Sequence, residues 1–340
     1  MRLMASFFLL LFLNLTLLSQ EVQTVAFYNV ENLFDSKDDP KTFDDDYTPE
    51  GRNHWTSTLV NQKIEHLAQV LSSIGKKETK RPPLLIGLAE VENRALLERL
   101  IAHPKLRAYG YEIIHFDSPD YRGIDVGLLY QKEFFFLENF KTYRLTLINP
   151  KTQNRSSTRD QLVVSGYWEN EALTVLVNHW PSRRGGQKRS EASRMAAARL
   201  QQRIIDSLQR LEPKRTLISM GDFNDNPNNK SIRYLIKENS YKPHFQPLYN
   251  PMQQLFKKGI GSLAYRDRWH LFDQILVDQE LLNREGIILL KTAVFNPPYL
   301  KNPDGKYKGY PYRNTIQGTQ LKGYSDHFPV YIVLGKGILN

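Results

Sequence analysis

The chain of 340 residues contains no cysteine. Disulfide bonds and a lipid anchor attached to cysteine are therefore excluded. The sequence also lacks proline-, glycine- or serine-rich tracts, low-complexity segments and clear internal repeats, so no linker divides it into two domains. A chain of this length can bury a core large enough to hold its fold without cross-links.

The first twenty residues differ from the rest of the chain. Arg2 supplies a positive charge, and an almost unbroken apolar stretch runs from Ala5 to Leu18. This stretch is shorter than a typical membrane-spanning helix and fits a secretory signal peptide. We predict a signal peptide over residues 1–20, one domain over residues 21–340, and an exported, periplasmic or secreted product without a stable membrane anchor. An uncleaved amino-terminal anchor is the alternative.

The charge of the chain is strongly basic. Lysine and arginine number 46 against 36 aspartate and glutamate residues, which gives a net charge of +10. A basic surface favours polyanionic partners such as nucleic acid or anionic lipid headgroups. Ordinary solubilising charge is the alternative, and composition alone does not separate the two.

Predicted strands and helices alternate along the chain. Apolar residues recur at helical spacing within 55–74 and 190–211, and these segments predict two helices. A short helix is predicted over 94–102. Apolar runs that predict strands cover residues 22–30, 84–89, 111–116, 125–130, 161–168, 173–178, 216–220, 272–277 and 328–334. Mixed strands and helices of this kind suit two packed sheets with helices on the outer faces.

Five short polar motifs stand where predicted strands leave the core. They are Asn29-Val30-Glu31, Glu90-Val91-Glu92, Asn178-His179, Asp222-Phe223-Asn224 and Asp326-His327. Polar side chains of these types are costly to bury without partners. Five such strand ends in one chain indicate one site at the rim of a sheet.

This ordered set of motifs resembles the endonuclease/exonuclease/phosphatase superfamily, which includes pancreatic-type deoxyribonuclease, apurinic endonucleases, sphingomyelinases and inositol polyphosphate 5-phosphatases. The resemblance extends from about Val22 to Val333. It implies an α/β (α+β) fold, a four-layer αββα sandwich of two packed mixed β-sheets flanked by helices. It also implies hydrolysis of phosphoesters with a divalent metal, expected to be Mg²⁺, with Mn²⁺ or Ca²⁺ as alternatives.

Four residues are predicted to form the metal site. Glu90 follows an apolar strand, where a bare carboxylate needs a cation, and the resemblance makes it a metal ligand. Asn29 and Glu31 share one face if their strand continues through them. The resemblance implies that the asparagine holds the metal site, whereas relatives vary at the position of Glu31. Asp326 is expected either in the metal site or in the activation of water.

The resemblance also implies the catalytic roles. Asp222 would orient or deprotonate the attacking water, and Asn224 would hydrogen-bond the phosphoryl oxygens; a tight turn is the alternative for this stretch. His179 and His327 resemble the paired acid–base histidines of the deoxyribonuclease branch, which act near neutral pH when a carboxylate fixes the tautomer. Asp273 matches the carboxylate that partners the last histidine.

Four further residues are predicted to contact the substrate: Asn178, Arg183, Arg184 and Asp125. The two arginines lie on a glycine-containing loop and can clamp a phosphate bidentately. A solvated basic loop is the alternative. Asp125 is also a candidate carboxylate partner for His179.

The segment 296–324 interleaves tyrosines with lysines, a pattern that favours base stacking and phosphate neutralisation. The alternatives are that these side chains bind a lipid headgroup or that they only pack against the protein. The presence of His179 favours the deoxyribonuclease, sphingomyelinase and phosphatase branches over the apurinic endonucleases. We predict a monomeric, exported endonuclease that hydrolyses phosphodiester bonds of nucleic acid. A phospholipid, inositol-phosphate or sugar-phosphate phosphoesterase is the alternative, and a non-catalytic binding protein on the same fold is a remote one.

Overall fold

The computed structural model describes residues 21–148, 152–236, 246–283, 286–316, 319–320 and 323–337. The predicted signal peptide lies outside these residues. Within them, no helix combines the length and the apolar character that crossing a membrane requires.

The described residues form six α-helices and a larger number of strands. In the described residues the strands are β1 (Val22–Leu33), β2 (Leu85–Val91), β3 (Tyr111–His115), β4 (Asp125–Gln131), β5 (Phe135–Tyr143), β6 (Thr146–Ile148), β7 (Arg155–Ser157), β8 (Gln161–Trp168), β9 (Glu171–His179), β10 (Thr216–Asp222), β11 (Leu263–Tyr265), β12 (Arg268–His270), β13 (Asp273–Val277), β14 (Ile287–Val294), β15 (Thr315–Ile316), β16 (Thr319–Gln320) and β17 (Val330–Lys336). The α-helices are α1 (Ser57–Leu71), α2 (Lys76–Thr79), α3 (Arg94–Ile101), α4 (Gln187–Leu211), α5 (Lys230–Ile236) and α6 (Met252–Lys257). Single 3-10 turns cover Asp45–Tyr47, Arg107–Tyr109, Gln279–Leu282 and Pro298–Leu300.

Two large mixed sheets form the centre of the molecule. The first has the order β14-β17-β1-β2-β4-β3, with β1 parallel to β2 and antiparallel to β17. The second has the order β13-β10-β9-β8-β5, with β9 parallel to β10. Helices cover the outer faces, so the predicted four-layer arrangement is confirmed.

The alternation of side chains along β1 shows how the layers pack. Ala26, Tyr28 and Val30 point into an apolar cluster shared with α1 and α3. Val25 and Phe27 point the other way, into the layer between the two sheets. A third cluster joins the second sheet to α4. Because both faces of the central strands are covered, their sequences are almost continuously apolar.

Local signals fix the helices that frame the site. Helix α1 begins after Thr56, whose side chain accepts a hydrogen bond from Leu59 N, and α3 begins after Asn93, which accepts one from Leu96 N. The strands before these helices run two to three residues further than predicted, since β1 ends at Leu33 and β2 at Val91. Asn29, Glu31 and Glu90 therefore lie within the last residues of β1 and β2.

Candidate active site

Strand register places the predicted site residues side by side. In the second sheet, Asp222 of β10 lies level with His179 of β9 and with Asp273 of β13. In the first sheet, Asn29 of β1 lies level with the residue that precedes Glu90 of β2. The carboxyl ends of parallel strands meet at one edge of a sheet, which is where ligands bind in α/β folds. Residues that are distant in sequence thus converge at one rim.

The backbone turns sharply at this rim. Glu31, Asn32, Glu90 and Asn224 adopt left-handed φ angles of 51°, 54°, 65° and 51°. Such conformations cost about 1–3 kcal/mol each in residues other than glycine and persist where the surroundings fix them. Here Asn32 N donates to Glu90 Oε2 at 3.1 Å, and Asn224 N donates to Asp222 Oδ1 at 2.9 Å. The carboxylates of Glu90 and Asp222 therefore stabilise the backbone turns that position the side chains of the site.

Asn29, Glu31, Glu90 and Asp326 form an oxygen-rich cluster at the end of the first sheet. The amide nitrogen of Asn29 lies 3.4 Å from Glu90 Oε1 and 3.1 Å from Asp222 Oδ2. Its oxygen accepts the backbone N–H of Glu31 at 3.0 Å. Burial, and then the charge of Asp326, raises the pKa of Glu31 to about 7. The cluster concentrates negative charge that needs a cation.

Two cations that the sequence did not reveal act on this cluster, Arg313 by direct contact and Lys63 through its charge. Arg313 donates from Nε to Glu31 Oε1 at 2.9 Å and from Nη2 to Asp326 Oδ2 at 3.0 Å. Lys63 is fully buried on α1 and donates to the carbonyl of Tyr324 at 2.7 Å. Burial lowers the pKa of Lys63 to about 8. Lys63 could have been recognised in the sequence, because it is a lysine on the apolar face of a predicted helix. Arg313 lies in a loop, where no periodic pattern distinguishes it.

The donor set fits a hard divalent cation. Carboxylate and amide oxygens are the ligands that Mg²⁺ prefers, and Mg²⁺ needs only one or two carboxylates besides water and phosphate oxygens. Glu31 and Asp326 already contact Arg313, whereas both oxygens of Glu90 accept hydrogen bonds from amide N–H groups of Asn29 and Asn32. This pattern favours Glu90 as the principal ligand, and the assignment of individual ligands stays a prediction.

A buried carboxylate holds His327. Its Nδ1 lies 2.6 Å from Asp273 Oδ2, which also accepts a hydrogen bond from the hydroxyl of Ser262. Burial alone would lower the pKa of His327, but the charge and hydrogen bond of Asp273 raise it well above its usual value. The ring therefore carries a proton at neutral pH, with Nε2 3.9 Å from Asp326 Oδ1.

The pKa of His179 is shifted in the opposite direction to that of His327, and Asp222 lies beside it. His179 Nε2 lies 3.7 Å from Asp222 Oδ2 and 3.9 Å from Glu90 Oε1. Burial, and then nearby arginine charges, lowers the pKa of His179 well below its usual value, so the ring is neutral. Burial, and then the charge of Asp273, raises the pKa of Asp222 to about 7. A neutral histidine and a titratable carboxylate thus stand beside a protonated histidine.

Asn178 faces away from the rim, which corrects its prediction as a substrate contact. Its side chain is fully buried in the second sheet. The amide nitrogen donates to Ser219 Oγ and to the carbonyl of Met220, both at 3.2 Å, and the amide oxygen accepts from Trp180 Nε1 at 3.3 Å. Neighbouring residues of a strand point to opposite faces, so Asn178 is buried where His179 reaches the site.

Arg183 is engaged within the protein, and its predicted contact with substrate stays a prediction. Nε donates to the carbonyl of Asn224 at 2.9 Å, and Nη2 donates to Asp225 Oδ1 at 3.0 Å and Asn229 Oδ1 at 2.9 Å. The group also stacks 4.3 Å from the ring of Phe272. Arg183 therefore fixes the turn that carries Asn224.

Arg184 and Asp125 differ in their surroundings. Arg184 is exposed and donates from Nη1 to the hydroxyl of Tyr121 at 2.8 Å, which leaves most of its donors available to a ligand. Asp125 is buried and accepts the backbone N–H of Ser118 at 2.8 Å. The predicted pairing of Asp125 with His179 is wrong, because the carboxylates within 4 Å of His179 are those of Glu90 and Asp222.

An aromatic and basic rim borders His327. Trp269 of β12 is 37% exposed, stacks on Phe328 at a ring distance of 6.1 Å and meets Tyr310 edge-on at 5.5 Å. Exposed aromatic rings and cations continue this rim at Tyr265, Tyr307, Arg266, Arg268 and Lys306. The predicted binding segment 296–324 supplies part of the rim; residues 317–318 and 321–322 lie outside the described residues. Sequence patterns did not reveal the contribution of the β11-β12 hairpin.

Comparison with known proteins gives a family and a fold. The model of the Endonuclease/Exonuclease/phosphatase family matches residues 24–336. No curated protein matches the chain. Solved structures with the same fold include an endonuclease/exonuclease/phosphatase family protein from Bacteroides thetaiotaomicron, with 16% identity, coverage of 94% of this chain and 100% of that chain, and a TM-score of 0.55.

Two other solved structures have names that mention activities or ligands. D. rerio TDP2 complexed with a single-strand DNA product has 14% identity, covers 92% of this chain and 98% of its own, and gives a TM-score of 0.52. A mannosyl-6-phosphatase from Bacteroides thetaiotaomicron has 16% identity, covers 92% of this chain and 99% of its own, and gives a TM-score of 0.54. At these identities the likeness concerns the fold alone.

Proposed function

Because this chain belongs to the Endonuclease/Exonuclease/phosphatase family of metal-dependent phosphoester hydrolases, we propose that it cleaves phosphodiester bonds of nucleic acid. The observation that carries the chemistry is the cluster of Asp222, Asp273 and His327, in which one ligand atom of each lies within 4.8 Å of the others. It combines a carboxylate with a pKa of about 7 and a histidine that stays protonated. A base and a cationic donor in one cluster suit the attack of water on a phosphate.

Each residue of the cluster has one task in this proposal. Asp222 accepts the proton of the attacking water, since a base works best when its pKa lies near the working pH. His327 remains protonated on Asp273 and donates from Nε2 to a phosphoryl oxygen. Neutral His179 presents Nε2 to the same space, and Asn224 is held beside it by its bond to the carbonyl of Trp180 at 3.0 Å.

The oxygen-rich cluster would hold the divalent cation. Glu90 would be its ligand and Asn29 would orient that carboxylate, because the amide of Asn29 contacts both Glu90 and Asp222. When bound, the cation neutralises charge on the phosphate and on the leaving oxygen. We expect Mg²⁺ in this role, with Mn²⁺ or Ca²⁺ as alternatives.

The rim supports nucleic acid as the substrate. Base–aromatic stacking stabilises single strands by about 1–3 kcal/mol per base and tolerates any sequence. Trp269 offers such a ring close to His327, because it stacks on Phe328, the next residue in the chain. Arg266 and Arg268 lie just before it in the β11-β12 hairpin, and the chain carries a net charge of +10. The structure of D. rerio TDP2 with a single-strand DNA product supports the capacity of this fold for such a ligand.

A substrate panel tests this proposal. The purified chain from residue 21 onward is assayed with Mg²⁺ against a single-stranded oligonucleotide, plasmid DNA, RNA, sphingomyelin, an inositol phosphate and a sugar monophosphate. We expect cleavage of nucleic acid, and Trp269→Ala should weaken single-strand cleavage by about 10-fold through the lost stacking. Turnover of a phosphomonoester or a phospholipid without cleavage of nucleic acid would refute the substrate assignment.

The proposal includes export of the chain. The apolar segment Ala5 to Leu18 after Arg2 supports a cleaved signal peptide, and the absence of cysteine allows folding in any redox environment. Expression in a Gram-negative host and amino-terminal sequencing of the exported protein test this part. A first residue near Gln20 or Glu21 is expected, and an intact Met1 in the exported fraction would contradict it.

A further inference from the structure

A second cluster of ligating side chains lies at the same end of the first sheet, where Asp125 of β4 is level with Val91, the residue after Glu90. His115 ends β3 and lies level with Gly127 of β4. Asp125 stands two residues from Gly127, so His115 and Asp125 share one face of the sheet. Asp117 follows on the loop, and one ligand atom of each of the three residues lies within 4.8 Å of the others.

The orientation of His115 points to a missing partner. Burial lowers the pKa of His115 and favours the neutral ring, whereas its hydrogen bond to the backbone of Val91 acts in the opposite direction, so the ring donates and the carbonyl accepts. Nε2 has no hydrogen-bond partner among the described residues, and the side chain is 2% exposed. The bond to Val91 therefore uses Nδ1, and Nε2 presents a buried lone pair. A backbone carbonyl that fixes the tautomer in this way is typical of histidines that bind metals.

The lone pair faces a carboxylate. His115 Nε2 lies 3.7 Å from Asp125 Oδ2, which is too long for a hydrogen bond. A lone pair and a carboxylate oxygen repel each other unless a cation lies between them. With metal–ligand distances of about 2.1 Å, this separation corresponds to an angle of about 120° at the metal, close to the tetrahedral geometry of Zn²⁺.

The surroundings of the cluster allow a cation to enter and stay. Ser118 binds the other oxygen of Asp125 through its backbone N–H at 2.8 Å, which fixes the direction of Oδ2. Asp117 is exposed and provides access from solvent. The charge of Arg94 acts on His115, and the Nε of this arginine pairs with Glu98 Oε1 at 2.9 Å. One imidazole and two carboxylates are a donor set that suits Zn²⁺.

We propose that His115, Asp117 and Asp125 form a second metal site, separate from the cluster around Glu90, that binds a divalent transition metal of the Zn²⁺ class. The site joins the ends of β3 and β4 to the loop that carries Asp117. This assignment does not depend on which phosphoester the enzyme cleaves.

Zn²⁺ titration by calorimetry tests the site on the chelator-treated full chain. We expect the variant Glu90→Gln to keep one Zn²⁺ site and the double variant Glu90→Gln/His115→Gln to lose it. Addition of Co²⁺ to Glu90→Gln should produce visible absorption of a tetrahedral type, and the double variant should lack it. Equal Zn²⁺ stoichiometry and affinity in the two proteins would overturn the proposal.

A surface variant protects the test against misfolding. Asp117→Asn alters an exposed side chain and should weaken Zn²⁺ binding by at least ~10-fold without changing the melting temperature measured in chelator. Asp304→Asn is the matched control, since Asp304 is an exposed loop aspartate outside the cluster, and it should leave Zn²⁺ binding unchanged. Equal affinity in Asp117→Asn and Asp304→Asn would exclude Asp117 as a ligand.

Discussion

The substitution Asp273→Asn isolates the electrostatic role of His327. The amide keeps the shape of the carboxylate but removes the charge that lies 2.6 Å from Nδ1. Both side chains are almost fully buried, so solvent screens the pair little. A hydrogen bond to a charged group contributes about 1.5–3 kcal/mol. Since one pKa unit equals about 1.4 kcal/mol, the pKa of His327 should fall by about 1–2 units.

The pH dependence of kcat/KM measures this effect. In the wild type, activity should rise as Asp222 deprotonates and fall at higher pH as His327 loses its proton. In Asp273→Asn the alkaline limb should move down by about 1–2 pH units, so activity above that limb falls by about 10–100-fold. The acid limb should also move down, because the charge of Asp273 raises the pKa of Asp222.

Two controls separate this effect from a structural defect. Ser262→Ala removes the hydroxyl that donates to Asp273 and leaves the charge in place, so it should shift the alkaline limb less than Asp273→Asn. The melting temperature of each variant shows whether the fold is intact. A loss of activity that is equal at every pH, with both limbs unmoved, would refute the proposed role of the pair.

Further predictions concern the metal, the arginine loop and stability. Glu90→Gln should weaken Mg²⁺ binding by at least ~10-fold with an unchanged melting temperature, and full activity at limiting Mg²⁺ would contradict the ligand assignment. Arg183→Ala should lower the free energy of unfolding by roughly 2 kcal/mol, because it removes the part-buried hydrogen bonds to Asn224 and Asp225. Arg184→Ala should leave the free energy of unfolding unchanged and reduce the salt dependence of DNA cleavage. Denaturant unfolding and salt titrations distinguish the two variants. The raised pKa of His327 means that its pairing stabilises the fold fully below pH ~6.5 and less as pH rises through the raised value, so Asp273→Asn should lose more unfolding free energy at pH 6 than at pH 9.

Much of the site could be predicted from the sequence, because its residues stand at the ends of apolar runs. His179, Asp222 and Asp273 lie in one row because their strands are neighbours in register, and each was recognisable as a polar residue at a strand end. The four-layer fold was predicted from the resemblance to the family, because the order of the motifs matches it, and not from the periodicity of the strands and helices. The pairing of His327 with Asp273 follows from the resemblance and agrees with the geometry.

Other parts of the site depend on the tertiary structure alone. A motif does not tell which of two adjacent strand residues faces the ligand, and Asn178 was wrongly chosen beside His179 because strand side chains alternate. Arg183 looks like a free cation in the sequence, but its Nε and Nη2 donate to the turn that follows β10. Arg313 and Ser262 reach the site from loops and carry no periodic signal.

One measurement tests the central claim most directly. The initial rate of Mg²⁺-dependent cleavage of a single-stranded oligonucleotide is compared between the wild type and His327→Ala. Loss of the cationic donor should lower kcat by about 10²–10⁴-fold, with both proteins folded by circular dichroism. If the wild type cleaves the oligonucleotide and the kcat of His327→Ala stays within a factor of about three of the wild-type value, the account is contradicted.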